Sequence, residues 1–453
     1  MLLLYSIVYD MSNSSFIPAE ADFASQFNPL ISRADCRRLA HAHRGSAAGA
    51  PATLKDADWI AGLVYHVCQP SGVLSQHLQD LTGKRYGDSS ISERRQTMDW
   101  PLWLAWVGRI CGPLADHQQQ PGAFYKGWRL VGIDGTTWSV ANTPAVKRRA
   151  RKTKSRRRKA AFHRLSGTVL CERGINNPIA ALLGVDGESE MALSAALWPS
   201  LQKDWLLIAD RLYGVGKVVG TLSRLKNKPA WLLRARKNLK ARLVETLRDG
   251  SALVTVVNPA TGEKLRLREI RAKVRRRSGQ WVNIRLWTHL LDAKTYPALE
   301  LVQLYALRRE QEIAFKELKI DLKRESLLLS HTLTTAAQEV AALLIAQTLV
   351  VRVRMAAAGF GSAPTLHVSF IKTLQTLRAF WTILPVIDDL LPKHSRPVLA
   401  LRLMQILVDQ QSPPRRPRSC PRKVRQPIKS WPRLLKNTSS SGGFSYKISP
   451  VNA

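Results

Sequence analysis

Three hydrophobic patterns succeed one another along the chain. From about Ile31 to Gln118 apolar positions recur at helical spacing, most clearly over 59–67, 72–81 and 100–114. Within that region 74–81, then Gly83, then a capping-box start at Ser90-Ile91-Ser92-Glu93 read as two consecutive helices, either an ordinary pair or a helix-turn-helix variant with a lengthened connection. From Trp128 short apolar runs take over. Residues 130–133 end at Asp134-Gly135, 167–171 and 179–185 flank a turn at Gly174-Ile175-Asn176-Asn177, 189–197 is helical, and 205–209 is a buried strand ending at Asp210. This β-β-β-α-β order lets the first and last strands lie side by side and parallel, because a helix-length crossover separates the third from the fourth. Alternation of apolar and polar positions then marks 253–257, 265–270 and 281–287 as strands of a β insertion, and helices return over 299–323, 335–358 and segments through Gln410.

Composition adds a partner to this α/β outline. The chain has 453 residues, 45% of them hydrophobic, which is enough for a large core. Its formal charge of +36 calls for a polyanion, and nucleic acid fits on counterion-release grounds. No lipid-facing amphipathic segment or anchor is evident, so no membrane partner is expected. The opening MLLLYSIVYD has no basic flank and reads as unprocessed, and the apolar stretch 340–351 is about half a bilayer span, hence a buried helix. Cys36, Cys68, Cys111, Cys171 and Cys420 show neither disulfide nor zinc spacing, which fits a reducing cytoplasm.

Candidate chemistry concentrates around Glu312. On a continuous helix at about 100° per residue, Arg308, Glu312 and Lys319 fall within about 60° of Tyr305, whereas Glu310 and Glu317 lie well off that stripe. Leu304, Leu307, Ala314 and Leu318 form the opposite, core-facing side. A solvated charged face is the ordinary explanation of such a stripe. A carboxylate flanked by two cations and a phenol is, however, also what a metal and phosphate site requires.

The spacing Tyr305-x2-Arg308-x3-Glu312-x6-Lys319, within YALRREQEIAFKELK, resembles the signature of the insertion-sequence-4 family of DDE-type transposases. Asp134 in GIDGTTW and Asp210 in LLIADRLYG match in order and context, with Ser189-Glu190 ahead of the second acid, WLLRARKN after it, and YPALELVQLYALR leading into the third. The resemblance implies an RNase H-like catalytic core interrupted by a β-rich insertion. It further implies an Asp134, Asp210 and Glu312 triad binding two magnesium or manganese ions, with Tyr305, Arg308 and Lys319 holding DNA phosphates. Carboxylates suit hard divalent cations, and zinc would favour His or Cys. The implied partners are double-stranded DNA with terminal inverted repeats and a target DNA, bound by a homodimer on paired ends, in the nucleoid of a bacterial cytoplasm.

The partition that follows is an N-terminal extension (1–30), a helical DNA-binding domain (31–120), the first part of the catalytic core (125–237), the β-rich insertion (238–296), core helices carrying the Tyr-Arg-Glu-Lys motif (297–358), a C-terminal helical region (359–411) and a basic, proline-rich flexible tail (412–453). In the tail, residues 412–436 hold nine cations, six prolines and no acid. Ten of the thirteen residues 147–159 are Lys or Arg, and Arg148, Arg149, Arg151, Arg156, Arg157 and Arg158 are expected to clamp phosphates without reading sequence. Along 281–287 one strand face is aliphatic and the other carries Trp281 and Trp287 around Arg285, making either indole a candidate for base stacking or for packing against the core. Two other readings share these residues: a metal-dependent nuclease without strand transfer, and a transposase-derived DNA-binding protein without catalysis.

Overall fold

The computed structural model describes residues 20–44, 54–98, 100–149, 162–275, 279–322, 327–392, 394–411 and 445–449. They fall in two compact units, the first made of Met1–Arg129, Ile133–Ser200 and Glu310–Ser412, the second of Leu130–Gly132, Leu201–Arg309 and Pro413–Ala453. The apolar N-terminal segment and most of the basic tail lie outside the described residues.

The described residues of the first unit begin with six helices, α1 (Phe23–Phe27), α2 (Arg33–Arg44), α3 (Asp56–Cys68), α4 (Leu74–Thr82), α5 (Asp88–Thr97) and α6 (Trp100–Ile110). Gly83 closes α4 in the left-handed conformation at φ 68°, a helix stop that a β-carbon would strain. The following helix starts at Asp88 behind Gly87, earlier than the capping box anticipated at Ser90. Within the stretch read as an N-terminal extension, Phe23 and Phe27 are buried, and Phe23 meets Trp381 edge-on at 5.1 Å.

Next come β1 (Phe124–Tyr125), β2 (Trp128–Val140), α7 (Pro144–Arg149), β3 (His163–Glu172), β4 (Asn177–Gly184) and α8 (Glu190–Leu197). Strand β3 is central between β4 and β2, with β3 and β4 antiparallel. After α11 (Arg309–Lys316) and β11 (Leu327–Leu328), the unit ends in α12 (Leu333–Phe360), α13 (Phe370–Ile387) and α14 (Ser395–Asp409). Helix α12 is apolar enough to cross a membrane by length and composition, yet 89% of its apolar window is buried by the surrounding protein. Its polar exceptions act as ties. Gln338 Nε2 donates to the Arg95 and Met98 carbonyls at 2.8 and 2.7 Å, and Gln347 Nε2 donates to those of Asn176 and Ala314 at 3.1 and 3.2 Å. The four described cysteines are free and buried, and burial pushes the Cys68 and Cys111 thiols up to about 12.

In the second unit Leu130–Gly132 of β2 leads a sheet that continues through β5 (Trp205–Gly214), β6 (Ala230–Ala235), β10 (Trp281–Thr288), β9 (Lys264–Arg275), β8 (Ala252–Val257) and β7 (Arg242–Thr246). Strands β5 and β6 are parallel and joined through α9 (Gly216–Ser223), the crossover that parallel pairing demands. Strand β2 thus lies beside β5, the neighbouring placement expected for the first and last core strands. This mixed sheet with helices before and after it is of the α/β class expected from the sequence. Residues 242–288 contribute four strands that continue the sheet from β6 through antiparallel β10. A further helix, α10 (Ala298–Ala306), also belongs to this unit.

Two expectations need correction. The tail is not flexible throughout, because Ser445–Ser449 forms β12, antiparallel to Arg271–Arg275 of β9. The helix expected over 299–323 is not continuous: α10 ends at Ala306, α11 begins at Arg309, and Glu317–Leu322 winds as a π turn. A single helical wheel therefore does not run from Tyr305 to Lys319.

Candidate active site

Asp134 sits inside β2 rather than at its end, at the point where four buried residues give way to four half-buried ones. Its Oδ1 accepts the Gly135 N–H at 3.0 Å, and the same N–H donates to Glu190 Oε1 at 3.0 Å. Glu190 is set at the start of α8 by Ser189, whose hydroxyl caps the helix by accepting the Ala192 N–H at 3.2 Å. A β-carbon on Gly135 would stand 2.1 Å from Glu190 Cδ, so glycine is what allows this carboxylate against the strand. Gly135→Ala should destabilise the protein by about 1 kcal/mol through that overlap. The cost should vanish in a Glu190→Ala background, and thermal unfolding of the four-member cycle measures the coupling.

Two residues beyond Gly135 the strand meets Lys319. Its ammonium donates to Thr136 Oγ1 at 3.1 Å and the Thr137 carbonyl at 2.8 Å, and stands 5.7 Å from the Trp138 ring centroid. Burial, assisted by the Arg164 charge, lowers the amine's affinity for its proton. The π turn aims Lys319 at β2, a placement that ideal-helix geometry does not anticipate.

Helix α11 is fixed by the residues around Glu312. Glu310 Oε2 accepts the Gly174 N–H at 2.9 Å; burial raises its pKa, opposed by that hydrogen bond and by Arg173. Gln311 is buried and donates to Cys171 Sγ at 3.3 Å. That bond ties α11 to β3, the strand that carries Cys171. Glu317 is buried against Arg354, with Nη1 to Oε1 at 3.2 Å. Glu312, in the first turn of α11, is exposed.

Asp210 lies in the second unit, at an irregularity of β5. Pairing with β6 runs through Ala209 and resumes only at Gly214. In that gap Asp210 Oδ1 accepts the Leu212 N–H at 2.7 Å, a local bond that turns the carboxylate out of the ladder. Gly214 permits the return, since a β-carbon there would be 1.9 Å from the Arg234 carbonyl oxygen.

The remaining predicted residues are dispersed. Tyr305 is buried on α10 and Arg308 is half-buried at the break before α11. Arg148 and Arg149 are exposed on α7, with Arg149 3.7 Å from Asp186, while Arg151, Arg156, Arg157 and Arg158 lie outside the described residues. Trp281 is 41% exposed, with Lys447 of β12 at 5.8 Å from its ring centroid. Trp287 is fully buried and its indole N–H donates to Glu269 Oε2 at 2.8 Å, so of the two indoles only Trp281 presents a ring for stacking.

Among the described residues no three His, Cys, Asp or Glu side chains are grouped to hold a metal ion. The donor chemistry of Asp134, Asp210 and Glu312 nonetheless fits a hard divalent cation, because all three offer carboxylate oxygens. Sequence reasoning missed the structural part played by Glu190. Its signal was present in Gly135 directly after the first acid and in the helix start at Ser189-Glu190.

Residues 129–349 match the family described as Transposase DDE domain. A curated relative, the transposase InsG for insertion sequence element IS4 of Escherichia coli (strain K12), is 23% identical over 338 residues, covering 72% of this chain and 74% of the relative. A solved structure of the piggyBac transposase, a synaptic complex with hairpin DNA, superposes with a TM-score of 0.47 at 10% identity, over 91% of this chain and 90% of that one.

Proposed function

We infer that this chain, whose residues 129–349 match the Transposase DDE domain and which is similar to an insertion-sequence-4 transposase, cuts DNA at the ends of its own element and joins those ends to a target. The observation that carries the site assignment is the sorting of acids around α11. Glu310 reaches inward to the Gly174 N–H and Glu317 is buried against Arg354, whereas Glu312 is exposed at the surface of the helix.

Asp134, Asp210 and Glu312 are the residues that would hold two divalent cations, magnesium or manganese, which when bound activate the attacking oxygen and stabilise the leaving one. The chain's own contribution is positional. The Gly135 N–H orients Asp134, the interrupted ladder orients Asp210, and the contacts of Glu310 and Gln311 fix the helix turn that carries Glu312. Arg308 would grip a phosphate in its planar fork and Tyr305 would donate a phenolic hydrogen bond. Lys319, held at Thr136 and Thr137, places a positive charge beside Asp134 and so lowers the repulsion met by an incoming phosphate. The helical region before β1 would recognise the inverted repeats, and two copies would pair the two ends. The setting proposed is the nucleoid of a bacterial cytoplasm.

A donor plasmid carrying the reading frame with its own flanking DNA, a target plasmid and magnesium test this reading. Joined donor–target products are expected. Hydrolysis without joining would make the protein a nuclease, and binding without nicking would make it a DNA-binding derivative of a transposase.

A further inference from the structure

The second unit contains a cleft of about 910 Å³ beside Asp210. Half of its fourteen lining residues are Lys or Arg, and Asp210 is the one acid among them. The register of β9 against β10 sets Arg271 opposite Arg285 and Lys273 opposite Asn283. Like charges directly opposite on one sheet face destabilise the pairing, so this arrangement requires a counterweight.

Glu269 supplies it from within the fold. The residue is fully buried, and its Oε1 accepts from Arg271 Nε at 2.7 Å while its Oε2 accepts from Arg285 Nε at 2.7 Å. Trp287 Nε1 donates to the same carboxylate, and Arg285 Cζ lies 5.3 Å from the Trp287 ring centroid. Arg285 also donates to the Leu239 carbonyl at 2.7 Å, fastening the segment after β6. Both guanidinium groups are thereby fixed before any ligand arrives, with side-chain exposures of 40% for Arg271 and 14% for Arg285. One buried negative charge offsets two positive ones, and the positive excess around the cleft grows further through exposed Lys273 and through Arg234 and Arg236.

We propose that this cleft, with Arg271, Lys273 and Arg285 preorganised by the buried Glu269, binds the phosphodiester backbone of DNA alongside Asp210. A folded chain that concentrates this much like charge gains most from a polyanion that runs through the cleft, releasing counterions at each phosphate contact. Contacts of this kind position a strand without reading its sequence. Glu269 is a positioning residue, and the role of Trp287 is to orient Glu269 rather than to stack on a base. The proposal rests on the transposase reading for its choice of DNA as the polyanion.

The test measures binding of the full-length protein to a short random-sequence DNA duplex over a range of salt concentrations, without divalent metal. The variants are Arg271→Ala with Lys273→Ala, exposed Lys273→Glu alone, and Lys264→Ala at the far end of β9, outside the cleft. The slope of log affinity against log salt is expected to become shallower by about two for the double variant. Lys273→Glu should weaken binding and flatten the slope with no change in melting temperature, and Lys264→Ala should leave the slope unaltered. An unchanged slope in both cleft variants would overturn the proposal, as would an equal loss from Lys264→Ala, which would mark a diffuse field of charge. A flattened slope in a protein that never cleaves would sustain the cleft and defeat the transposase reading. Cleavage by a double variant with unaltered binding would do the reverse.

Discussion

In cleavage assays with magnesium, Glu312→Gln is expected to slow strand cutting by at least about 10²-fold, whereas Glu310→Gln, in the same turn of α11, leaves the rate unchanged. The two substitutions remove the same charge from neighbouring positions, so charge alone cannot separate them. What separates them is where each side chain is used. Glu310 reaches inward and accepts the Gly174 N–H, a task an amide oxygen performs equally well. Burial already disfavours its charged form, so the neutral side chain suits that environment. Glu312 is exposed and has the chemistry of a hard-metal ligand, which an amide replaces poorly. Melting temperatures of both variants should stay near that of the parent protein, and the affinity of each for manganese provides a readout independent of turnover. Loss of cleavage in Glu310→Gln with full activity in Glu312→Gln would reverse the assignment.

The proposal of Glu312 arose from the sequence by a helical wheel, a route that the structure replaces. The motif and an ideal helix both single it out, yet the helix breaks between Ala306 and Arg309 and widens into a π turn from Glu317. A wheel assumes one repeat throughout, and local hydrogen-bond partners, invisible in a single sequence, override that repeat here. Strand periodicity located β2, β3, β4 and β5 because each carries a run of buried apolar residues. It missed the exposed β7, whose alternation is weak, and β12, which pairs with β9 from far along the chain. The indoles illustrate the same limit. Trp281 and Trp287 share one alternating face, but only the burial of Glu269 decides that Trp287 is an internal donor. Patterns report which face a residue occupies, and tertiary contacts decide whether that face is wet.

Arg354→Met is expected to destabilise the first unit by about 3–5 kcal/mol, because it strands a buried carboxylate. The side chains of Glu317 and Arg354 are each 1% exposed, so water cannot replace the lost partner. Arg354 Nε also donates to the Val368 carbonyl at 2.7 Å, and Glu317 Oε2 accepts from Asn176 Nδ2 at 3.4 Å. The pair therefore joins α12, the segment before α13, the turn between β3 and β4, and the π turn. A drop in melting temperature on the order of 10 °C should accompany the single substitution. Replacing both partners, as Glu317→Leu with Arg354→Met, should recover most of that loss, since an apolar pair carries no desolvation cost. The double variant also separates stability from activity. Glu317 opens the π turn that delivers Lys319 to Thr136 and Thr137, so a protein restored in melting temperature but still slow in cleavage would tie that turn to the reaction. If Arg354→Met alone costs less than about 1 kcal/mol, the ion pair is not what holds the turn in place.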